Sequence, residues 1–389
     1  MVPILALPFL TRYLTPTDYG IFTTFTVISM FIGNLFRLEL NMALKREYVD
    51  HSGDFSQYIS TTFVFSTIML VPYCLTVLVM MPFISTIYGI PILWIFLIVL
   101  LSYFRFQIIN LHHLWQITNR AFPYGLWGLL ATVVIYSITI FLILYKGADW
   151  QARAWGEWLV GFISLLIALY YLRKQYGLKW AFNLSILKKM CKYSLPLLPT
   201  TLMSYIFMVS DRVFISEFSG LYELGLYSVA LQLAASVDLV FRAILPAWES
   251  WIFTQLASVD SITIRVIFKR LIVLSLLGCL MMLFLPQVLE FLMPYLTDKS
   301  FALAEDFLFP CILSVTCAGF FKLTKVPLVF MRRTTTVAYV NISMIAINFL
   351  FMYIFVSKWG ATGAAFALAI TYTYGSMMQL YFMYKYSED

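Results

Sequence analysis

Apolar residues in this chain come in continuous runs rather than in alternation. Between Asp54 and Arg105 lie fifty residues, Phe55 to Phe104, without one charged side chain. A helix needs roughly 20 predominantly apolar residues to cross hydrocarbon, whereas barrel strands alternate apolar and polar positions. Backbone in lipid must satisfy its own hydrogen bonds, so continuous runs predict helices. They predict spans near 1–14, 19–44, 57–82, 87–109, 121–145, 154–172, 193–218, 224–250, 267–292, 304–331, 334–357 and 360–384. The breaks carry turn chemistry, as in Thr15-Pro16-Thr17-Asp18, Gly89-Ile90-Pro91 and Lys358-Trp359-Gly360, and none is long enough to fold separately. The expected fold class is all-α integral membrane, with about 12 transmembrane helices in two six-helix bundles, 1–172 and 193–389, joined by a basic cytoplasmic linker, 173–192.

Composition agrees with this pattern. Of the 389 residues 62% are hydrophobic and 12% charged, and the mean hydropathy is +0.86, which excludes an ordinary water-soluble domain. Alternate loops divide the cations unevenly. The loops after the even-numbered helices, with the helix ends beside them and the C-terminal tail, take 16 of the 26, among them Lys45, Arg46, Arg105, Lys188, Lys189, Arg270 and Arg333. The opposite loops take only Lys146, Arg153, Lys299 and Lys358, beside acidic residues such as Asp18, Glu157 and Asp298. Both termini are therefore expected in the cytoplasm. The net charge of +7 is mostly this bias and gives no reason to expect nucleic acid as a partner.

Six cations remain deeper inside the expected spans, away from the loops and the helix ends beside them: Arg12, Arg37, Arg212, Arg242, Lys322 and Lys325. A charge at the bilayer centre costs about 2.5–3.5 kcal/mol on insertion scales, so such residues face a bundle interior or an aqueous cavity, snorkel to the interface, or pair with an acid. Arg12 is close enough to a helix end to snorkel. Arg212 follows Asp211, and Arg242 lies four residues after Asp238 on one helix face, so each has a candidate ion-pair partner. Glu39 and Glu249 complete the embedded acids.

A shift of 205 residues lays Pro16–Phe22 on Leu221–Tyr227, with Gly20 on Gly225 and Asp18 on Glu223. The same shift carries Arg37 onto Arg242. Internal repeats with a site between them recur in transporters, and two repeat-related arginines would face one central cavity. Guanidinium forks match phosphate oxygens, which points to an anionic ligand.

The segments LPFLTRYLTPTDYGIF (7–22), SLPLLPTTLMSYIFMVSDRVFI (194–215), LGLYSVALQLA (224–234) and WGATGAAFALA (359–369) resemble the Wzx-type polysaccharide and O-antigen repeat-unit flippases of the MOP transporter superfamily. The resemblance runs nearly end to end. It implies a transporter of the bacterial inner membrane that moves undecaprenyl-pyrophosphate-linked oligosaccharides by alternating access. The substrate would be an anionic lipid-linked glycan held in a cationic cavity, and a polysaccharide polymerase and a chain-length regulator would be candidate partners beside the membrane lipids. The family's Thr-Arg-Tyr-Leu falls on Thr11–Leu14 and its Asp-Arg on Asp211 and Arg212. Arg37 and Arg242 rest on the repeat, with Lys322 and Lys325 as further cavity candidates and Asp211, Asp238 and Glu39 as charge partners or coupling residues. In the family the first helix begins well before the Leu-Pro element, so helix 1 is expected to be truncated in this chain.

Two other classes stay open. A cation-coupled multidrug exporter of the same superfamily would favour carboxylates over arginines. A membrane polysaccharide polymerase or glycosyltransferase, which would be an enzyme, commonly carries a sizeable loop outside the membrane. No cofactor, catalytic residue or metal site is expected: the five cysteines are scattered, His112-His113 lacks a ligand cluster, and Gly360–Gly363 lacks the Lys and Ser/Thr of a nucleotide loop.

Overall fold

The computed structural model describes residues 2–50, 54–88, 91–146, 150–195, 198–255, 261–331 and 333–388. Among these the chain is helical and has no strand. The elements are α1 (Val2–Leu5), α2 (Leu7–Tyr13), α3 (Pro16–Arg37), α4 (Leu40–Val49), α5 (Phe55–Ile68), α6 (Leu70–Tyr88), α7 (Ile92–Ile117), α8 (Ala121–Lys146), α9 (Trp150–Tyr176), α10 (Leu184–Ser194), α11 (Leu198–Phe218), α12 (Gly220–Gln255), α13 (Ser261–Leu296), a 3₁₀ segment (Lys299–Phe307), α14 (Leu308–Phe330) and α15 (Thr334–Glu388). Eight helices among the described residues are long and apolar enough to cross a membrane. The chain is an all-α, multi-pass membrane protein.

Three of the expected spans are interrupted. The first breaks at Ala6, between α1 and α2. The second ends α3 at Arg37 and restarts as α4 after Leu38 and Glu39, whose φ angles of 45° and 54° are left-handed and uncommon for residues with a Cβ. The third, 57–82, is divided at Met69. The last two spans run together as α15, but Gly360, with φ 56° and ψ −139°, breaks the helix between them. Only glycine takes that conformation without strain, and the Glu223 carboxylate accepts the Ala361 N–H at 2.7 Å, capping the restarted helix.

The helices form two compact units. One gathers residues 3–20 with 210–389, and the other 21–209. In the first, α14 and α15 pack along their lengths, with α12 against α14. The N-terminal segment joins this unit through close contacts: Tyr19 donates to Gln232 Oε1 at 2.5 Å, the Asp298 N–H to Thr11 Oγ1 at 3.1 Å, and Gly20 meets the start of α12. A Cβ on Gly20 would collide with the Leu221 carbonyl, and one on Gly225 with the Pro16 carbonyl. Small residues let helix backbones approach this closely in lipid, where packing rather than the hydrophobic effect holds helices together. In the second unit α7, α8 and α9 pack side by side. Its core includes Leu40, Leu44, Tyr58, Leu111, Trp115 and Leu172, where α4, α5, α7, α9 and α10 meet.

Candidate functional site

Two helix faces in the first unit concentrate charge. On α12, Asp238, Arg242, Leu245 and Glu249 fall at successive turns of one face. On α14, Lys322, Lys325, Val326 and Val329 do the same. The two helices are locked by the neighbouring positions: Phe241 lies against Gly319 and meets Phe320 edge-on at 5.5 Å, and Trp248 Nε1 donates to the Leu323 carbonyl at 3.0 Å. The charged faces are thereby held side by side.

Asp238 is the hub. Its Oδ2 accepts from Arg242 Nε and its Oδ1 from Lys322 Nζ, each at 2.6 Å. The carboxylate is 18% exposed, whereas the Arg242 side chain is 72% and that of Lys322 43% exposed. One shielded acid thus holds two cations whose remaining N–H groups are open. Next to it lies an open pocket of about 460 Å³ lined by Leu245, Glu249, Lys322, Lys325, Val326 and Val329. Three cations against two carboxylates leave the region cationic, with an apolar wall from Leu245, Val326 and Val329.

The backbone adds to this. Pro246 sits inside α12 and has no N–H to give the Arg242 carbonyl four residues earlier, so the helix loses a hydrogen bond at the arginine. The repeat-related Arg37 is the last residue of α3, directly before the left-handed pair Leu38–Glu39. Arg37 therefore stands at a helix break, whereas Arg242 stands in a continuous helix at the one carbonyl that Pro246 leaves without its usual N–H donor. The Arg37 side chain lies outside the described residues. Glu39, at the break, is buried.

The other expected site residues lie apart from this cluster. Arg212 and Asp211 pair with each other on α11, 12% and 2% exposed, and Tyr227 donates to Asp211 Oδ2 at 3.2 Å. The Arg212 charge is met within its own helix. Arg12 is exposed at the end of α2, near the Asp298 turn. There, hydrogen bonds from the Ser300 N–H and hydroxyl hold the Asp298 carboxyl below its ordinary range, and the Arg12 charge acts in the same direction.

A second cluster corrects the loop assignment of three residues. Arg105, counted with a cytoplasmic loop, stands within α7, and Arg153 and Glu157, counted with an outer loop, stand within α9. Arg105 donates to Glu157 Oε2 and to Ser29 Oγ, both at 2.7 Å. Arg153 Nε lies 3.7 Å from Glu157 Oε1, and its guanidinium sits 3.8 Å over the Tyr136 ring. Glu157 and Arg153 are 5% and 10% exposed. The i to i+4 spacing of Arg153 and Glu157 is the sequence signal for this pair, and α9 contains both because it begins at Trp150, ahead of the expected span at 154. His112 and His113 are held by aromatic and amide neighbours, the first against Trp115 and Tyr124 and the second beside Asn41.

The fold is that of the MOP-superfamily transporters. A solved lipid II flippase, MurJ, in an inward closed conformation, superimposes with a TM-score of 0.77 at 15% identity, covering 98% of this chain and 84% of that one. An inward-facing multidrug resistance MATE family transporter of the MOP superfamily gives 0.71 at 16% identity, over 100% and 95%. A MOP superfamily transporter from Pyrococcus furiosus, described as having a binding pocket of reverse polarity, gives 0.57 at 16% identity, over 96% and 88%. No curated protein sequence matches the chain. The family model "Polysaccharide biosynthesis protein" matches residues 1–248. The chain belongs to that family.

Proposed function

We propose that this protein is a flippase that moves undecaprenyl-pyrophosphate-linked oligosaccharide repeat units across the bacterial inner membrane, for O-antigen or another surface polysaccharide. The observation that carries this reading is the Arg242–Asp238–Lys322 cluster. Two exposed cations are pre-positioned by a shielded carboxylate, with Lys325 and an apolar wall beside them. A pyrophosphate is a doubly charged, multi-oxygen acceptor, and forked guanidinium and ammonium donors bind it by charge-assisted hydrogen bonds. Arg37 is proposed to supply a further guanidinium from the other half of the repeat. Asp238 restrains Arg242 and Lys322 when no substrate is bound, and the phosphates compete for them when it is.

Family membership supports a role in polysaccharide biosynthesis. The likeness to a lipid II flippase supports a lipid-linked substrate. The likeness to a multidrug transporter supports the alternative of small-molecule export, but a pocket with more cations than carboxylates suits an anion. A polysaccharide polymerase and a chain-length regulator are proposed as partners, and both termini are proposed to lie in the cytoplasm, on the side of the cation-rich loops. Deletion of the gene should abolish surface glycan display and leave lipid-linked repeat units accumulating in the membrane. Unchanged glycan display together with raised sensitivity to cationic drugs would favour the exporter.

A further inference from the structure

The loop after α9 is a built feature. Its backbone is pinned to α5: Ser56 Oγ donates to the Gly177 carbonyl at 2.9 Å, the Lys179 N–H to Ser60 Oγ at 2.9 Å, and the Asn183 N–H to Thr61 Oγ1 at 3.3 Å. Between these points the loop frames an open pocket of about 680 Å³, lined by Phe63, Leu169, Arg173, Leu178, Lys179 and Trp180. Trp180 is 72% exposed, yet its ring is fixed edge-on to Phe63 at 5.7 Å.

The two ends of this pocket differ in chemistry. At one end Arg173 and Lys179 are exposed, and neither side chain has an ion pair or hydrogen bond among the described residues. The nearby cations are engaged elsewhere, Lys174 with Tyr170 and Lys189 with Glu47 and Tyr58. At the other end Leu169 continues into an outward apolar stripe on α9 with Leu166 and Phe162, 51% and 40% exposed. A basic mouth, an aromatic rim residue and an apolar track reproduce the order of phosphate, interface and acyl chain in a lipid. Tryptophan favours the interface, and basic pockets at helix ends bind anionic head groups.

We infer that this pocket is a docking site for one anionic phospholipid, with its phosphate between Arg173 and Lys179 and an acyl chain along Leu169 and Leu166. The site is separate from the Asp238 cluster and does not depend on what the protein transports. It would fasten the 173–192 linker to the membrane surface.

Native mass spectrometry of the detergent-solubilised protein tests this, with phosphatidylglycerol and phosphatidylcholine of identical acyl chains as probes. The wild type should retain one phosphatidylglycerol in preference to phosphatidylcholine. Arg173→Gln with Lys179→Gln should weaken that retention about 25-fold, roughly fivefold for each charge, while Arg173→Lys with Lys179→Arg keeps it. Equal retention of the two lipids by the wild type, an unchanged preference in the glutamine variant, or displacement of the lipid by glycerol phosphate alone would each overturn the inference.

Discussion

Gly20 and Gly225 make reciprocal contacts: each meets the carbonyl of the residue that opens the other's segment, Leu221 for Gly20 and Pro16 for Gly225. Under the 205-residue shift Pro16 corresponds to Leu221 and Gly20 to Gly225. The crossing is therefore two-fold in character, residue i on j and the equivalent of j on the equivalent of i. A repeat seen in the sequence through a few identities reappears as a contact in space.

Side chains at this crossing have only backbone to displace. Gly20→Leu and Gly225→Leu should each destabilise the protein, by about 1–3 kcal/mol as overpacking does. The double variant should cost less than the sum, because the first change already separates the segments. Gly125→Leu and Gly128→Leu, at positions where a Cβ meets nothing within 4 Å, serve as controls and should be near neutral. Thermal unfolding in detergent reads all of these.

The Asp238 cluster has its own signature. Arg242→Ala should lower glycan display strongly, on the order of tenfold or more for a charged hydrogen bond of about 1.5–3 kcal/mol, with the protein still inserted. Arg242→Lys should retain part of the function, since charge survives but the fork does not. Asp238→Asn with Arg242→Gln should fail to rescue Arg242→Gln. Restored display in that double variant, at normal protein level, would reduce Arg242 to a structural ion pair.

Glu157 faces two guanidiniums, one of them in a nearly closed site. Glu157→Gln should therefore destabilise by about 3–5 kcal/mol, as breaking a buried pair does. Adding Arg105→Met and Arg153→Met should recover much of that loss, because no buried charge is then left uncompensated. Melting temperatures of the single and triple variants decide the matter, and equal temperatures for both would contradict the account.

Orientation is tested by reporter fusions. Fusions after Lys189 and Arg333 should read cytoplasmic and one after Asp298 should read external, because the cation bias is strongest across those loops. An external signal at Lys189 would overturn the helix count.

Much of the fold was legible because a bilayer imposes a length on its helices. The runs at 121–145, 224–250 and 267–292 lie inside α8, α12 and α13. The break after Arg37 was not legible, since Leu38 and Glu39 carry none of the Gly or Pro that usually announces a left-handed turn. Within the site, Asp238 and Arg242 could be paired from their spacing alone. Lys322 lies 84 residues from Asp238, and its partnership depends on how α14 packs on α12 through Phe241 and Trp248. Arg105 falls near the end of the expected span 87–109, where its charge reads as a loop flank; hydropathy marks the middle of a span well and its charged ends poorly, and α7 in fact continues to Ile117.

The cationic cluster is proposed to carry an anionic lipid-linked glycan across the membrane. Proteoliposomes holding the purified protein and a fluorescent undecaprenyl-pyrophosphoryl oligosaccharide test it most directly, with the fraction of label reached by an external quencher as the readout. The wild-type protein should equilibrate the labelled lipid between leaflets, and Arg242→Ala with Lys322→Ala should abolish this while the protein remains folded. Equal translocation by wild type and double variant, or no translocation by the wild type in vesicles where it exports a cationic dye, would contradict it.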